Sequence, residues 1–273
     1  MTSRRRPLRF VAILLFLAGL MALSWPKLEI AWYERTRPTS LPTAQPADAF
    51  ASKPTEERKD EGTEGPTPDE TVVDESIRSS VPQLPSSLNL DVPFTSQAPF
   101  ANWDAAHEEY CEEASALMAG RFFQGRSITG PDDAEAAMGE LVTWELEHLG
   151  YFESTTAQET ARMIREVYGL AVTLVTDVSD EAIKQALADG KLIILPAAGR
   201  ELGNPYFQRP GPVYHMLVVK GYTESSQFIT NDPGTRRGAD FIYDTDVLIR
   251  AVGDWNSGDP ANGQSVMLVV SKV

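Results

Sequence analysis

The chain has 273 residues, and its 39 acidic side chains outnumber the 24 Lys and Arg to give a net charge of −15. That balance argues against nucleic acid as a partner, because phosphate contacts need Lys and Arg. A single cysteine, Cys111, excludes an internal disulfide framework and a multi-cysteine zinc site.

Residues 1–9 carry the basic cluster Arg4-Arg5-Arg6-Pro7-Leu8-Arg9, which the positive-inside rule keeps in the cytoplasm. An uncharged apolar run follows from Phe10 to Trp25. As a helix of about 16 residues it would span roughly 24 Å, short of a hydrocarbon core of about 30 Å. Snorkelling of Lys27 and interfacial anchoring by Trp32 and Tyr33 would extend it. Residues 10–33 therefore read as a membrane anchor, or as a signal peptide with Ala22 and Ser24 at the small-residue positions. Either way the rest of the chain lies outside the cytoplasm, tethered to the cell membrane by one span or secreted after cleavage. Residues 34–87, rich in Pro, Thr, Ser, Glu and Asp, predict a disordered linker that cannot bury enough apolar surface to fold. A flexible segment of about 50 residues would span roughly 40 Å and hold the domain off the membrane.

The folded domain is expected over 88–273. Leu88 to Phe94 alternates like a strand, with Pro93 marking an edge or exit. A helix opens at Cys111 and ends near Gln124-Gly125, with positions 111, 114, 115, 118 and 122 on one face. A second runs from Asp132 to Leu149, with acids at its start. Thr156 to Glu159 fits a capping box opening a third, which stops near Gly169. Ala171 to Val175 reads as a strand, and Ser179 caps a helix ending at Gly190. Strands then dominate: Lys191–Pro196, Val213–Tyr222, Gln227–Asn231, Asp240–Tyr243 and Ser265–Ser271, interrupted by a helix over Thr245–Val252. Helices first and strands after predict an α+β fold, a helical part against an antiparallel sheet with a cleft at the seam.

That cleft would join Cys111, at a helix N-terminus whose free N–H groups favour a thiolate, to His215 and the Asn231-Asp232-Pro233 turn. Cysteine, histidine and Asn/Asp, distant in sequence, suggest a cysteine-nucleophile hydrolase. Only one of Asn231 and Asp232 can face the imidazole if a strand runs through both. His107 and His148 read as solvated surface histidines, and no cofactor or metal site is expected. Trp103, Trp144 and Trp255 read as core or rim packing. The Pro/Gly-rich loop from Gly199 to Pro212 is long enough for a lid.

Four motifs in order resemble the C39-like cysteine peptidases of the papain-like superfamily, which include bacterial exported proteins. They are Val92-Pro93-Phe94-Thr95-Ser96-Gln97, Cys111-Glu112-Glu113-Ala114, His215 through Tyr222, and Asn231-Asp232-Pro233-Gly234. The resemblance implies Cys111 as nucleophile, His215 as general base, Asp232 as the residue orienting the imidazole (Asn231 the alternative), and Gln97 as an oxyanion donor. Peptide or protein substrates are implied, with Trp103, Glu112, Tyr206 and Tyr214 as substrate-binding candidates. Glu112 and Glu113, where small residues are common, would raise the thiol pKa if they point at the sulfur. Two other readings use the same scaffold: a catalytically inactive peptide-binding module, and a cell-wall peptide amidase or transpeptidase.

Overall fold

A computed structural model describes residues 25–50 and 84–273. The apolar run over 10–24 and the linker over 51–83 lie outside the described residues. No helix among the described residues is long and apolar enough to cross a membrane.

The described residues contain seven strands in one antiparallel sheet: β1 Leu88–Asn89, β2 Ala171–Val175, β3 Leu192–Ala198, β4 Tyr214–Tyr222, β5 Gln227–Asn231, β6 Phe241–Asp244 and β7 Met267–Ser271. They order as β2-β7-β3-β4-β5-β6, with β1 added on β4. Helix α1 covers 25–36. After it come α2 Cys111–Gln124, α3 Pro131–His148, α4 Ala157–Tyr168, α5 Asp180–Ala188 and α6 Thr245–Ala251. This is the expected α+β arrangement, with α2 packed on β4 and flanked by α3 and α4. Every residue of β3 and β4 is buried, as is every residue of α2 from Cys111 to Phe123.

Local chemistry sets the boundaries. Thr156 and Glu159 form a reciprocal capping box at the start of α4, and Gly169 ends it in the left-handed region at φ 64°. Ser179 accepts the Ala182 N–H and caps α5. The strand expected to reach Phe94 pairs only as far as Leu90. Beyond it Asn231 Nδ2 donates to the carbonyls of Val92 (3.0 Å) and Pro93 (3.3 Å), so a side chain replaces the ladder.

The expected disorder over 34–87 does not hold for 34–50. Gln45 donates to the Asn89 carbonyl and accepts from the Asp91 N–H, both at 2.8 Å. The Phe50 ring covers Gly190, whose added Cβ would lie 2.5 Å from Phe50 Cβ. Average composition hides one well-placed aromatic residue and a stretch of backbone pairing. Tyr33 likewise is not turned to a membrane interface: it stacks on Phe241 at 4.5 Å and accepts the Ile242 N–H at 3.0 Å.

Gly221 shows how tightly β1 is held. A Cβ there would stand 2.2 Å from the Leu88 carbonyl oxygen, within the β1–β4 pairing. Gly221→Ala is expected to cost roughly 2 kcal/mol or more by forcing backbone apart. Urea unfolding should show a lower midpoint at unchanged slope; an unaltered midpoint would mean the strands separate at no cost.

Candidate active site

Cys111 opens α2, and the preceding Tyr110 supplies no side-chain cap. The residue is 4% exposed. Its thiol donates to Glu112 Oε2 at 2.8 Å, and the nearby Met216 backbone works to lower its pKa. Met216 follows His215 on β4, so the thiol sits against the strand that carries the imidazole.

The thiol pKa is raised rather than lowered, contrary to expectation. Burial pushes it well above its usual value, and the adjoining Glu112 carboxyl adds to the rise. Glu112 is itself buried, which raises its pKa to about 8. Glu113 faces Glu145 of α3. Burial and the facing Glu145 hold Glu113 well above the carboxylate range, and burial lifts Glu145 to about 7. The three acids form a buried cluster that prefers to be protonated.

His215, 1% exposed, presents Nε2 to Asp232 Oδ1 at 2.8 Å. The Asp232 carboxylate also accepts from Gly234 N–H (2.9 Å), Asn204 Nδ2 (2.9 Å) and the Tyr243 hydroxyl (2.6 Å). Burial works to raise its pKa, but the facing imidazole and these donors hold it below the usual range. Asn231 does not face the imidazole, its side chain being spent on Val92 and Pro93. Gly234 permits the close approach: a Cβ there would lie 2.9 Å from His215 Cε1. The Phe207 ring meets the imidazole edge-on at 5.3 Å. Sequence reasoning missed Asn204, Phe207 and Tyr243; no spacing rule links them to Asp232.

His107 is buried, not a solvated surface residue. Its Nδ1 pairs with Asp104 at 2.7 Å and its Nε2 with Glu135 at 2.9 Å. Burial would lower its pKa, but these two carboxylates hold it raised. It lies near Cys111, one turn earlier in the chain. Gln97 Nε2 donates to the carbonyls of His107 (2.8 Å) and Glu108 (3.0 Å). The Pro233 carbonyl anchors the Gln97 backbone at 3.0 Å, tying this segment to the Asp232 turn. Thiol, imidazole–carboxylate pairs and a fixed glutamine amide are the parts of a cysteine-hydrolase active site. His148 is exposed and rests on Trp144, as its place at a helix end suggested.

A cleft of about 1120 Å³ opens onto Cys111. The substrate-binding candidates Trp103, Glu112, Tyr206 and Tyr214 all line it, as do Gln97, Trp255 and the loop from Tyr206 to Val213. Glu108, Glu109 and Glu112 contribute acidic lining, and Arg209, Arg236 and Arg237 basic lining. No cluster of potential metal ligands occurs among the described residues.

Comparison with known proteins places these features in context. Residues 89–257 match the Peptidase_C39 like family. A crystal structure of a proposed C39-like peptidase from Bacillus anthracis aligns with a TM-score of 0.44 at 13% identity, covering 70% of this chain and 97% of that one. No curated protein matches this chain.

Proposed function

The chain belongs to the Peptidase_C39 like family, and from that premise we propose that it is an extracytoplasmic cysteine peptidase hydrolysing peptide bonds, tethered by its N-terminal segment. The observation that carries the reading is that α2, which opens at the Cys111 thiol, packs on β4, the strand that carries His215 in its 2.8 Å pair with Asp232. Two imidazoles compete for the role of base. Both nitrogens of His107 are occupied by carboxylates, which leaves neither for a thiol. His215 spends Nε2 on Asp232 and has no hydrogen bond at Nδ1 among the described residues. His215 is therefore assigned the proton transfer and Asp232 the orientation of the ring.

In this mechanism the sulfur attacks the substrate carbonyl carbon while its proton passes to His215 Nδ1. The tetrahedral intermediate collapses, the C–N bond breaks, and His215 returns the proton to the leaving amine. Water then cleaves the thioester by the same proton path. The Cys111 N–H would hold the oxyanion together with one Gln97 hydrogen, now lent to the Glu108 carbonyl. Near neutral pH the Glu112 carboxyl is largely protonated, so its charge does not oppose the forming thiolate.

One observation favours a second reading. A buried thiol that donates to Glu112 is a poor resting nucleophile, as suits an inactive peptide-binding module. Mass-spectrometric profiling of a peptide library with the full chain and its Cys111→Ala variant separates the two. Cleavage by the wild type alone is expected. Identical products from both proteins would remove Cys111 from the chemistry, and peptide retention without cleavage would favour the binding module.

A further inference from the structure

We propose that α1 is a strut for the cleft, with Tyr33 and Glu34 as positioning residues for the loop over 203–212. The inference rests on the active-site reading above. The loop faces two ways. On the inside Tyr206, Phe207 and Arg209 line the cleft, Phe207 packs on His215, and Asn204 donates to Asp232. On the outside the same loop is gripped by one face of α1. The Tyr33 ring meets Tyr206 edge-on at 5.8 Å, the Tyr206 hydroxyl donates to Glu34, and Arg209 pairs with Glu29.

The helix is itself anchored to a rigid part of the fold. Tyr33 lies flat on Phe241 of β6, with ring planes 5° apart, and accepts the Ile242 N–H at 3.0 Å. β6 pairs with β5, whose last residue adjoins Asp232. The loop begins at Gly203 (φ 61°) and has Gly211 (φ 90°) beside its end, both in the left-handed region. Between them side-chain contacts hold its course, from the inside by Asn204 and Phe207 and from the outside by α1. Besides α1, the loop is tied by the Arg237 guanidinium 5.0 Å over the Tyr206 ring, by the Tyr206 ring edge-on to Phe241 at 6.1 Å, and by Arg200 Nε donating to the Gly211 carbonyl at 3.4 Å. Residues 29, 33 and 34 sit within about one and a half turns of helix and reach both Tyr206 and Arg209. The chain just outside the catalytic domain thus fixes a wall of the cleft and the two side chains that support His215 and Asp232.

The test uses the full chain with Tyr33→Ala, Tyr33→Phe and Glu34→Gln, with exposed Lys27→Ala as control. Two readouts need no substrate: amide hydrogen exchange across 203–212, and the rate at which iodoacetamide labels Cys111. Tyr33→Ala is expected to speed exchange of the loop and labelling of the thiol about tenfold, leaving β2 and β7 protected. Tyr33→Phe keeps the stack and should restore most of the protection, Glu34→Gln should fall between, and Lys27→Ala should match wild type. Unchanged exchange and labelling in both Tyr33→Ala and Glu34→Gln overturn the proposal, as does loss of protection in β2 and β7 to the same degree. If Tyr33→Ala does not fold, the surface change Glu34→Gln decides alone. Failure of the peptidase reading looks different: the wild type cleaves nothing, yet loop exchange still answers to Tyr33.

Discussion

Replacing His215 with Ala should abolish peptide hydrolysis, lowering kcat/KM by roughly 10⁴-fold or more, while His107→Gln costs less than about tenfold. The contrast matters because both imidazoles are buried and paired with carboxylates, His215 with the buried Asp232 and His107 with the exposed Asp104. His107 has a carboxylate on each nitrogen, so it can hold the turn before α2 but has no lone pair or N–H free for the sulfur. His215 has one nitrogen held by Asp232, the geometry that fixes a tautomer and leaves the other nitrogen for proton transfer. Asp232→Asn should then follow His215→Ala in direction, with a loss on the order of 10⁴-fold, because an amide there can stabilise the wrong tautomer. Steady-state kinetics on a peptide from the library, with circular dichroism to confirm folding, would measure all three. An inactive His107→Gln beside an active His215→Ala would reverse the assignment.

Between pH 5 and pH 9 the protein should lose stability, and Glu113→Gln/Glu145→Gln should lose less, the Glu112 share remaining. The folded state keeps Glu112 protonated to about 8 and Glu145 to about 7, with Glu113 also raised, all first through burial. An unfolded chain releases these protons near pH 4.5. Across the window the native state binds more protons than the unfolded one, so stability falls as pH rises and levels off above the folded pKa values. A shift of the size seen at Glu112 is worth on the order of 5 kcal/mol, and the three acids share rather than add their effects. Asp232 runs the other way: its depressed pKa contributes stability above about pH 4 that is lost as pH falls through the folded value. Urea denaturation at pH 5 and pH 9 would read the difference directly. Equal stability at both pH values in the wild type would mean that the cluster stays charged when folded. The same ionisation of Glu112 should depress activity above about pH 8, as a charge beside the sulfur opposes the thiolate.

The helices and strands were largely legible in the sequence. The bounds of β2 and β5 agree with the apolar patterning, and α2 starts at Cys111 and ends at Gln124 as its face and the following glycine suggest. The capping box at Thr156 was readable because its two partners are three residues apart. The stretch over 34–50 was not, since its order comes from Gln45 pairing with a distant segment and Phe50 covering Gly190. His107 was misjudged for the same reason: Glu135, on α3, is invisible from its neighbours in sequence.

Residue types and their order were enough to determine the α+β layout, the lone thiol at a helix start, and a histidine and an acid far downstream. Periodicity and caps act over a few residues, so local chemistry records them. Tertiary structure alone decided that Asp232 rather than Asn231 meets the imidazole, that Glu112 turns onto the sulfur while Glu113 meets Glu145, and that Tyr33 docks on the sheet. Each of these depends on which groups burial brings together across the fold, and on the electrostatic cost of placing them there away from water.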